Sequence, residues 1–196
     1  MFDSGKSVKE LIDEIKEEAD IALELPTTTY INWLNALEQL CYTEIIKEQR
    51  EIELKNPTSP ISISTLTVSE DEEPIRFEDI YTIYADYVQL TKTTLTSGNV
   101  FPNTFFKKNN DIGFSVDGSV RDMKIIYFAK PKVKTSDTGN VMLPIEFIDM
   151  AKAKLRGEAY KLVNEDALAS KWLNDYNVAI ENFKTWCNNK SSQFGM

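Results

Sequence analysis

The sequence predicts an α+β protein in which a helical bundle, formed by the N- and C-terminal helices, carries a β-rich module of hairpin and sheet inserted in the middle. Apolar residues recur at helical spacing in residues 8–22 and again in residues 168–186. Between these segments the period changes to two, and β-branched and aromatic residues concentrate around residues 80–84. Hydrophobic residues make up 42% of the 196 residues, which is enough for a packed core.

Proline positions set the predicted boundaries between these parts. Pro57 ends the helical pattern of the N-terminal part, because proline is not tolerated in the interior of a helix. Pro144 opens the helical pattern of the C-terminal part, because proline is tolerated in the first turn. The predicted parts are a helical domain of residues 1–56 and 143–190, an inserted β-rich module of residues 57–142, and a tail of residues 191–196.

The N-terminal part predicts two helices. The first begins at Ser7, where Ser7 and Glu10 form a capping box: each side chain can satisfy the backbone N–H of the other residue. It ends at Pro26, because the residue before a proline avoids helical geometry. The second helix is predicted to open near Thr27 and to run to about Glu51.

The first half of the middle part predicts strands. Residues 61–65 alternate apolar and polar side chains, as a half-buried strand does. Residues 80–84 are rich in β-branched and aromatic side chains and are followed by a short connection to a second run at 87–90. A helix over residues 77–90 is the alternative.

The second half of the middle part predicts a hairpin. Residues 112–116 form one strand and residues 123–128 form its partner, because Asp117-Gly118 between them supplies the positive φ that tight hairpin turns need. Pro131 ends the second strand, since proline cannot donate to a central ladder.

The C-terminal part predicts two further helices. The first opens at Pro144, and small residues at helical spacing along it would allow another helix to approach closely; these residues are Ala151, Ala153 and Ala159. Asn164 is predicted to cap the second, with Glu165 and Asp166 near the positive end of its dipole. Its aromatic stripe is interpreted as core and consists of Trp172, Tyr176, Phe183 and Trp186.

The charge and the absence of histidine restrict the function. The chain has 22 Lys+Arg against 31 Asp+Glu, so 22 − 31 gives a net charge of −9, and it contains no histidine. This excludes a Ser-His-Asp or Cys-His centre and every zinc site that uses histidine. The negative charge argues against a non-specific nucleic-acid binder, whose affinity comes mostly from Lys and Arg. We therefore expect a protein without enzymatic activity and without a cofactor.

The cysteines and the apolar runs place the protein in a reducing compartment. Cys41 and Cys187 lie in apolar helical patterns and are interpreted as buried free thiols, with a disulfide as the alternative. No apolar run reaches the roughly 20 residues that span a bilayer, so we expect no membrane partner and synthesis in a cytoplasm.

Three groups of residues invite a binding or catalytic interpretation. The acid run Asp71-Glu72-Glu73 is typical of a solvated loop, with a hydrolase dyad or a magnesium site as the alternative. Basic residues at 107–108 and 130–134 are interpreted as solvated loop charges rather than as a nucleic-acid site. An aromatic group could stack on bases or sugars, although sheet packing is favoured; it comprises Tyr81, Tyr84 and Tyr87.

Four stretches, taken in order, carry a likeness to a known family. They are Tyr30–Leu37 in the second helix, Lys124–Pro131 at the end of a strand, Leu143–Ile148 with its Leu-Pro start and the small-residue helix Ala151–Tyr160 that follows it, and Asp166–Tyr176 in the last helix. In this order and spacing the chain resembles the head-to-tail adaptor, connector or neck proteins of tailed bacteriophages. Its β-rich middle is larger than that of the purely helical adaptors, so details of ring contacts carry over poorly.

The resemblance implies a structural viral protein of the virion. Such a protein forms a homo-oligomeric ring, expected to be a dodecamer, under the portal protein in the virion neck, with a tail or stopper protein below. DNA passes through without specific binding, and we expect acidic residues to outnumber basic ones on the inner face. The alternatives are another non-enzymatic phage binding protein (stopper, tail-completion protein or regulator) and an enzyme that uses Asp71 or Glu72 with a metal.

The resemblance also implies a role for the C-terminal tail, because this segment often reaches the portal in the family. The portal-contact residues would be Gln193, Phe194 and Met196, since aromatic and methionine side chains are enriched at interfaces. A disordered end is the alternative.

Overall fold

The chain folds as a mixed α+β protein with four α-helices and a seven-stranded curled sheet among the residues described, as shown by a computed structural model that describes residues 1–18, 25–94 and 101–193. The chain divides into two compact units, Met1–Ile46 with Val133–Met196, and Lys47–Lys132. We call them the helical unit and the sheet unit. Both divisions fall ten residues before those drawn from the sequence, at 46 rather than 56 and at 132 rather than 142.

The helical unit contains all four α-helices. They are α1 (Val8–Glu18), α2 (Thr27–Leu40), which continues as a π-helical segment (Cys41–Ile46), α3 (Ile148–Leu162), which follows a 3-10 turn (Ile145–Phe147), and α4 (Asp166–Gln193). No helix in the described ranges has the length and apolar character needed to cross a membrane.

The predicted capping box starts α1. The Ser7 hydroxyl accepts the N–H of Glu10 at 3.1 Å, and the Glu10 carboxylate accepts the N–H of Ser7 at 3.1 Å. Two backbone donors that the helix would leave unpaired are thereby satisfied. This prediction is confirmed.

One apolar cluster holds the helical unit together, with buried side chains from every helix that include Leu11, Leu34, Leu155 and Phe183. The small residues of α3 are buried, as predicted: Ala151, Ala153 and Ala159. The two helices α3 and α4 approach each other closely at Gly157, where a Cβ would lie 2.7 Å from the Leu173 side chain of α4. In the aromatic stripe of α4, Tyr176 and Phe183 are buried, whereas Trp172 and Trp186 are half-buried.

Two predictions about helix ends are wrong. The second helix stops at Ile46, where Lys47 takes a left-handed φ of 49°, and Gln49–Lys55 is a strand. Pairing with a strand some 75 residues away overrides the helical propensity of this charged segment. Asn164 is not the N-cap of α4: it has a φ of 61° and terminates α3, while the Glu165 carbonyl accepts the first bond of α4, from Ala169.

The sheet unit contains every strand. They are β1 (Gln49–Lys55), β2 (Ile61–Ser62), β3 (Ile80–Ala85), β4 (Val88–Thr93), β5 (Thr104–Lys108), β6 (Asp111–Ser115) and β7 (Asp122–Phe128). Their order in the sheet is β1-β7-β3-β4-β5-β6-β2, and every pair is antiparallel except β4 with β5.

The strands at residues 80–84 and 87–90 are confirmed as β3 and β4, so the helical alternative for residues 77–90 is wrong apart from one 3-10 turn at Phe77–Asp79. The predicted strand over 61–65 shortens to β2, because Ile63–Thr65 closes into a 3-10 turn.

The predicted hairpin between residues 112–116 and 123–128 is also wrong. Both segments are strands, but β7 lies between β1 and β3, while β6 pairs with β5 and β2. The segment that contains Asp117-Gly118 therefore connects two strands, β6 and β7, that are separated in the sheet by β3, β4 and β5. β5, which the sequence analysis missed, takes the place beside β6.

Candidate functional site

One face of the sheet presents exposed polar and aromatic side chains, and we call it the outer face. Across β1 and β7 the register places Glu51 opposite Ile126, Glu53 opposite Lys124, and Lys55 opposite Asp122. Directly opposed residues of a sheet project to the same side, so these pairs share one face. Tyr84 of β3 extends the row, because it is the partner of Lys124 on the other side of β7.

A cavity of about 490 Å³ opens on this face at the end of β1, β7 and β3. Its lining includes charged side chains of two strands and two aromatic rings; they are Glu51, Glu53, Lys55, Asp122, Lys124, Tyr84 and Tyr87. A cavity of this size holds a large side chain or a small ligand.

Two ion pairs neutralise most of the charge around the cavity. The Lys124 ammonium lies 2.9 Å from the Glu51 carboxylate, and Lys55 bonds to Asp122. These contacts raise the pKa of both lysines, because each carboxylate stabilises the charged ammonium. Glu53 has no ion pair within 4.0 Å in the part of the chain that the structure describes. Glu53 does attract Lys55 and Lys124 at longer range. The lining nevertheless has three carboxylates against two ammonium groups, so 2 − 3 gives it a net charge of −1.

The aromatic group lies on or beside this surface rather than in the core. Tyr81 is 55% exposed and packs its ring 5.4 Å from that of Phe128, Tyr84 is half-buried, and Tyr87 is 93% exposed. The favoured sheet packing is found for Tyr81, but the expectation that strand alternation places some of these rings in the core is wrong. A register shift between Ile80 and Thr82 changes the alternation of β3, and Tyr87 lies in a turn.

The turn that carries Tyr87 is fixed by its neighbour. Asp86 and Tyr87 connect β3 to β4 with φ values of 45° and 71°, both left-handed. The Asp86 carboxylate accepts the N–H groups of Asp122 at 2.9 Å and Arg121 at 3.1 Å, which lowers the pKa of Asp86. The turn is thus tied to the start of β7, and the Tyr87 ring is held beside the cavity.

The cavity adjoins a free edge of the sheet. The Glu48 carbonyl accepts the N–H of Ala129 at 2.9 Å, and the N–H of Asn56 donates to the Arg121 carbonyl at 2.8 Å. Hydrogen-bonded and non-bonded residues alternate along an antiparallel strand, and both of these bonds involve even-numbered residues on the β1 side. The even-numbered residues of β1 therefore bond to β7, and the odd-numbered residues point their N–H and C=O groups away from it. Over the described ranges no strand pairs with this outer edge of β1.

The acid run is split by the fold. Glu72 is buried, accepts the Tyr127 hydroxyl at 2.8 Å and lies 3.5 Å from the Arg50 guanidinium. Burial is the main cause of a raised pKa of Tyr127. The solvated-loop interpretation holds for Asp71 but is wrong for Glu72, which joins a connecting segment to the sheet. In the described ranges no group of three or more acidic or cysteine residues is placed to hold a metal ion.

Two lysines of the basic stretch are also structural rather than solvated. Lys130 bonds to Asp79 in the sheet unit, and Lys134, only 10% exposed, bonds to the buried Glu38 in the helical unit. Asn35 adds two bonds to the Lys134 backbone, at 2.8 and 2.9 Å. The sequence could not show these pairs, because the partners lie 51 and 96 residues away.

Cys41 and Cys187 are buried thiols that form no disulfide, which confirms the thiol prediction. Burial raises the pKa of Cys41 to about 12 and that of Cys187 to about 11. The thiolate is the reactive form of cysteine, so these side chains act as core residues.

The predicted portal-contact residues are at the end of the described chain. Gln193 is the last residue of α4, and Phe194 and Met196 lie outside the described residues. Their role stays a prediction.

Comparison with known proteins adds no assignment. No protein-family model matches the sequence. A search of curated proteins also finds no match.

Proposed function

We propose that this protein is a head–tail adaptor, a structural virion protein that forms a ring under the portal and continues the DNA channel toward the tail. The proposal is supported by the order of the sequence stretches that resemble that family, from Tyr30–Leu37 to Asp166–Tyr176. The finer description of the fold, a bundle of N- and C-terminal helices with an inserted β module, belongs to the same proposal.

The arrangement of the helical unit supports this role. Its chain is discontinuous, since residues 1–46 and 133–196 contribute to one apolar cluster. The helix α4 has 28 residues and is therefore about 42 Å long. A long helix held by such a cluster suits a component that transmits contacts between assemblies above and below it.

The charge of the chain is consistent with a conduit for DNA. A net charge of −9 opposes phosphate binding, which normally depends on Lys and Arg. Passage through a channel requires that DNA does not bind tightly. We therefore expect Asp and Glu to outnumber Lys and Arg on the inner face of the ring.

The proposed partners follow from this position. Copies of the chain contact one another head to tail, and such heterologous contacts form a ring where the rotation closes. The resemblance to the adaptor family implies a dodecamer. The portal protein lies above and a tail or stopper protein below, in the virion neck. The tail residues Gln193, Phe194 and Met196 are proposed to contact the portal.

Co-assembly tests the proposal. The full chain is expressed alone and together with the portal protein of the same virus, and both samples are measured by native mass spectrometry and electron microscopy. We expect a closed ring of the chain on the portal. If the chain neither binds the portal nor forms a ring on it, the proposal is overturned. A stable complex with a host enzyme would favour the alternative that the chain is a phage regulator.

A shortened chain tests the portal contact. Deletion of residues 191–196 should abolish co-assembly with the portal, and the double variant Phe194→Ala, Met196→Ala should weaken it. The matched control is Ser191→Ala with Ser192→Ala, which alters the same segment without removing its apolar side chains. Unchanged assembly of the deleted chain contradicts the tail contact.

A further inference from the structure

The two edges of the sheet differ in how well they are protected. The edge formed by β2 is two residues long, follows Pro60 and runs into a 3-10 turn, so it offers few free backbone groups. The edge formed by β1 is seven residues long and contains no proline. The charged side chains of β1 disfavour pairing with strands of like charge, but its unpaired backbone groups can accept a strand of complementary charge.

The backbone of β1 is also oriented for pairing. Its odd-numbered residues point N–H and C=O away from β7, and these are Gln49, Glu51, Glu53 and Lys55. A strand added here would form main-chain hydrogen bonds that require no particular sequence. Specificity would come from the side chains beside the edge.

The cavity next to this edge has features suited to a basic side chain. Glu53 contributes a carboxylate without an ion pair among the described residues, and Tyr84 and Tyr87 contribute aromatic rings. Tyr87 has a φ of 71° and 93% exposure, in a conformation where glycine or asparagine would be more stable. Such strain at an exposed aromatic residue points toward a binding role.

We propose that β1 accepts an extended segment of a partner protein by β-strand addition, and that a Lys or Arg of this segment enters the cavity beside Glu53. A cation there pairs with the carboxylate and packs on the tyrosine rings. This inference goes beyond the adaptor proposal and does not depend on it.

The charges of β1 argue against a second copy of β1 as the occupant. A two-fold antiparallel pair must align odd-numbered residues with odd-numbered ones to share the outward groups. Three such registers pair most of the strand, and they are centred on residue 51, 52 or 53. They place Glu51 opposite Glu51 of the other copy, Glu51 opposite its Glu53, or Glu53 opposite its Glu53, respectively. Like charges directly opposed across strands are destabilising, so a basic segment of another protein fits better.

Amide exchange tests the proposal at single residues of the full chain. The probe is the peptide acetyl-Thr-Val-Lys-Val-Lys-Val-Thr-amide, and its comparison has glutamate in place of both lysines. In the free protein we expect fast exchange at Glu51 and Glu53 and slow exchange at Arg50 and Ile52, which bond to β7. The lysine peptide should slow the Glu51 and Glu53 amides by about tenfold or more, and the glutamate peptide should not.

Three variants sharpen the test. Glu53→Pro removes one outward donor and should abolish protection, and Glu53→Gln, which keeps the backbone, should weaken binding about three- to tenfold. The matched control is Glu78→Gln, an exposed glutamate of the same unit, which should bind normally. The proposal is overturned if the Glu51 and Glu53 amides are already slow without peptide. It is equally overturned if neither peptide protects them at about 1 mM, or if both peptides protect them equally.

Discussion

The helical unit and the sheet unit are stabilised in different ways. In the helical unit, apolar faces of all four helices meet in one cluster, and the rings of Phe147 and Phe183 lie 4.7 Å apart. In the sheet unit, carboxylates hold the connecting segments: Glu72 accepts a bond from Tyr127, and Asp86 accepts backbone donors at the start of β7. Both units contain long-range polar contacts, since the buried Glu38 bonds to Lys134 in the helical unit. The main stabilising feature of the first unit is the apolar cluster that joins all four helices, whereas carboxylates hold the connecting segments of the second.

The distribution of tryptophan allows the two units to be followed separately. All three tryptophans belong to the helical unit: Trp33, Trp172 and Trp186. Tryptophan fluorescence thus reports the helical unit alone. The tyrosine signal reports both units, because four of the eight tyrosines, at 81, 84, 87 and 127, belong to the sheet unit and the other four to the helical unit. The sheet unit is therefore read from the part of the tyrosine signal that does not follow tryptophan. Each substitution below should move one signal more than the other.

The largest effect is expected from Phe183→Ala. Phe183 is fully buried between Phe147 and Trp186, so truncation leaves a cavity and should cost about 3–5 kcal/mol of unfolding free energy. The measurement is urea unfolding followed by tryptophan fluorescence. Val178→Ala, an exposed position of the same helix, is the control and should change little. The tyrosines of the helical unit should shift with tryptophan. An equal shift of the remaining part of the tyrosine signal, which comes from the sheet unit, would show that the two units unfold as one and would break the comparison.

The next effect is expected from Gly113→Ala in the sheet unit. A Cβ at Gly113 would lie 2.2 Å from the Phe106 ring on the paired strand β5, so the ring must move. We expect a loss of about 1–3 kcal/mol, seen in the sheet-unit part of the tyrosine signal and not in the tryptophan signal. The double variant Gly113→Ala, Phe106→Leu should recover part of the loss, because the smaller side chain relieves the clash. Additive losses would contradict this explanation.

A smaller effect is expected from Tyr127→Phe. This change removes the hydroxyl that donates to the buried Glu72 and keeps the ring, so we expect a loss of about 1.5 kcal/mol in the sheet unit. Tyr81→Phe is the matched control, since Tyr81 is 55% exposed. Equal effects of the two substitutions would mean that the Glu72 contact contributes nothing to stability.

The same difference explains what could be predicted from the sequence. The start of α1 was predictable because Ser7 and Glu10 are three residues apart. The small residues of α3 likewise predicted that another helix packs closely against it, as α4 does. The strand β1 was predicted as helix, because its identity depends on pairing Gln49 with Phe128. Local pattern contains no information about a partner 79 residues away.

The candidate site was predictable only in part, for the same reason. Aromatic content singled out Tyr84 and Tyr87, although their exposure was not predicted. The sequence did not predict a role for Glu53 or a free sheet edge, because both depend on β1 being a strand, and on that strand lying at the end of the sheet. Similarly, Glu72 was noticed as part of an acid run, but its buried bond to Tyr127 joins segments that are 55 residues apart.

The smallest effect concerns a carboxylate of the helical unit and its dependence on pH. Bonds from Lys152, at 2.7 Å, and from Lys6 lower the pKa of Glu14 from its ordinary 4.5 to about 2. The folded chain therefore binds this proton more weakly than the unfolded chain. The stabilisation is present above pH 4.5 and is lost as the pH falls toward 2.

Since the Glu14 side chain is 35% exposed, solvent screening limits this contribution to about 1 kcal/mol at most. In tryptophan-detected unfolding between pH 4.5 and 2, Glu14→Gln should flatten the loss of stability by that amount. The control Asp13→Asn, which removes a charge from an exposed position of the same helix, should leave the slope in place. Added salt should shrink the difference between wild type and Glu14→Gln, because screening weakens exposed pairs. A slope that Glu14→Gln leaves unchanged would mean that the ion pairs of Glu14 contribute nothing to the stability of the helical unit.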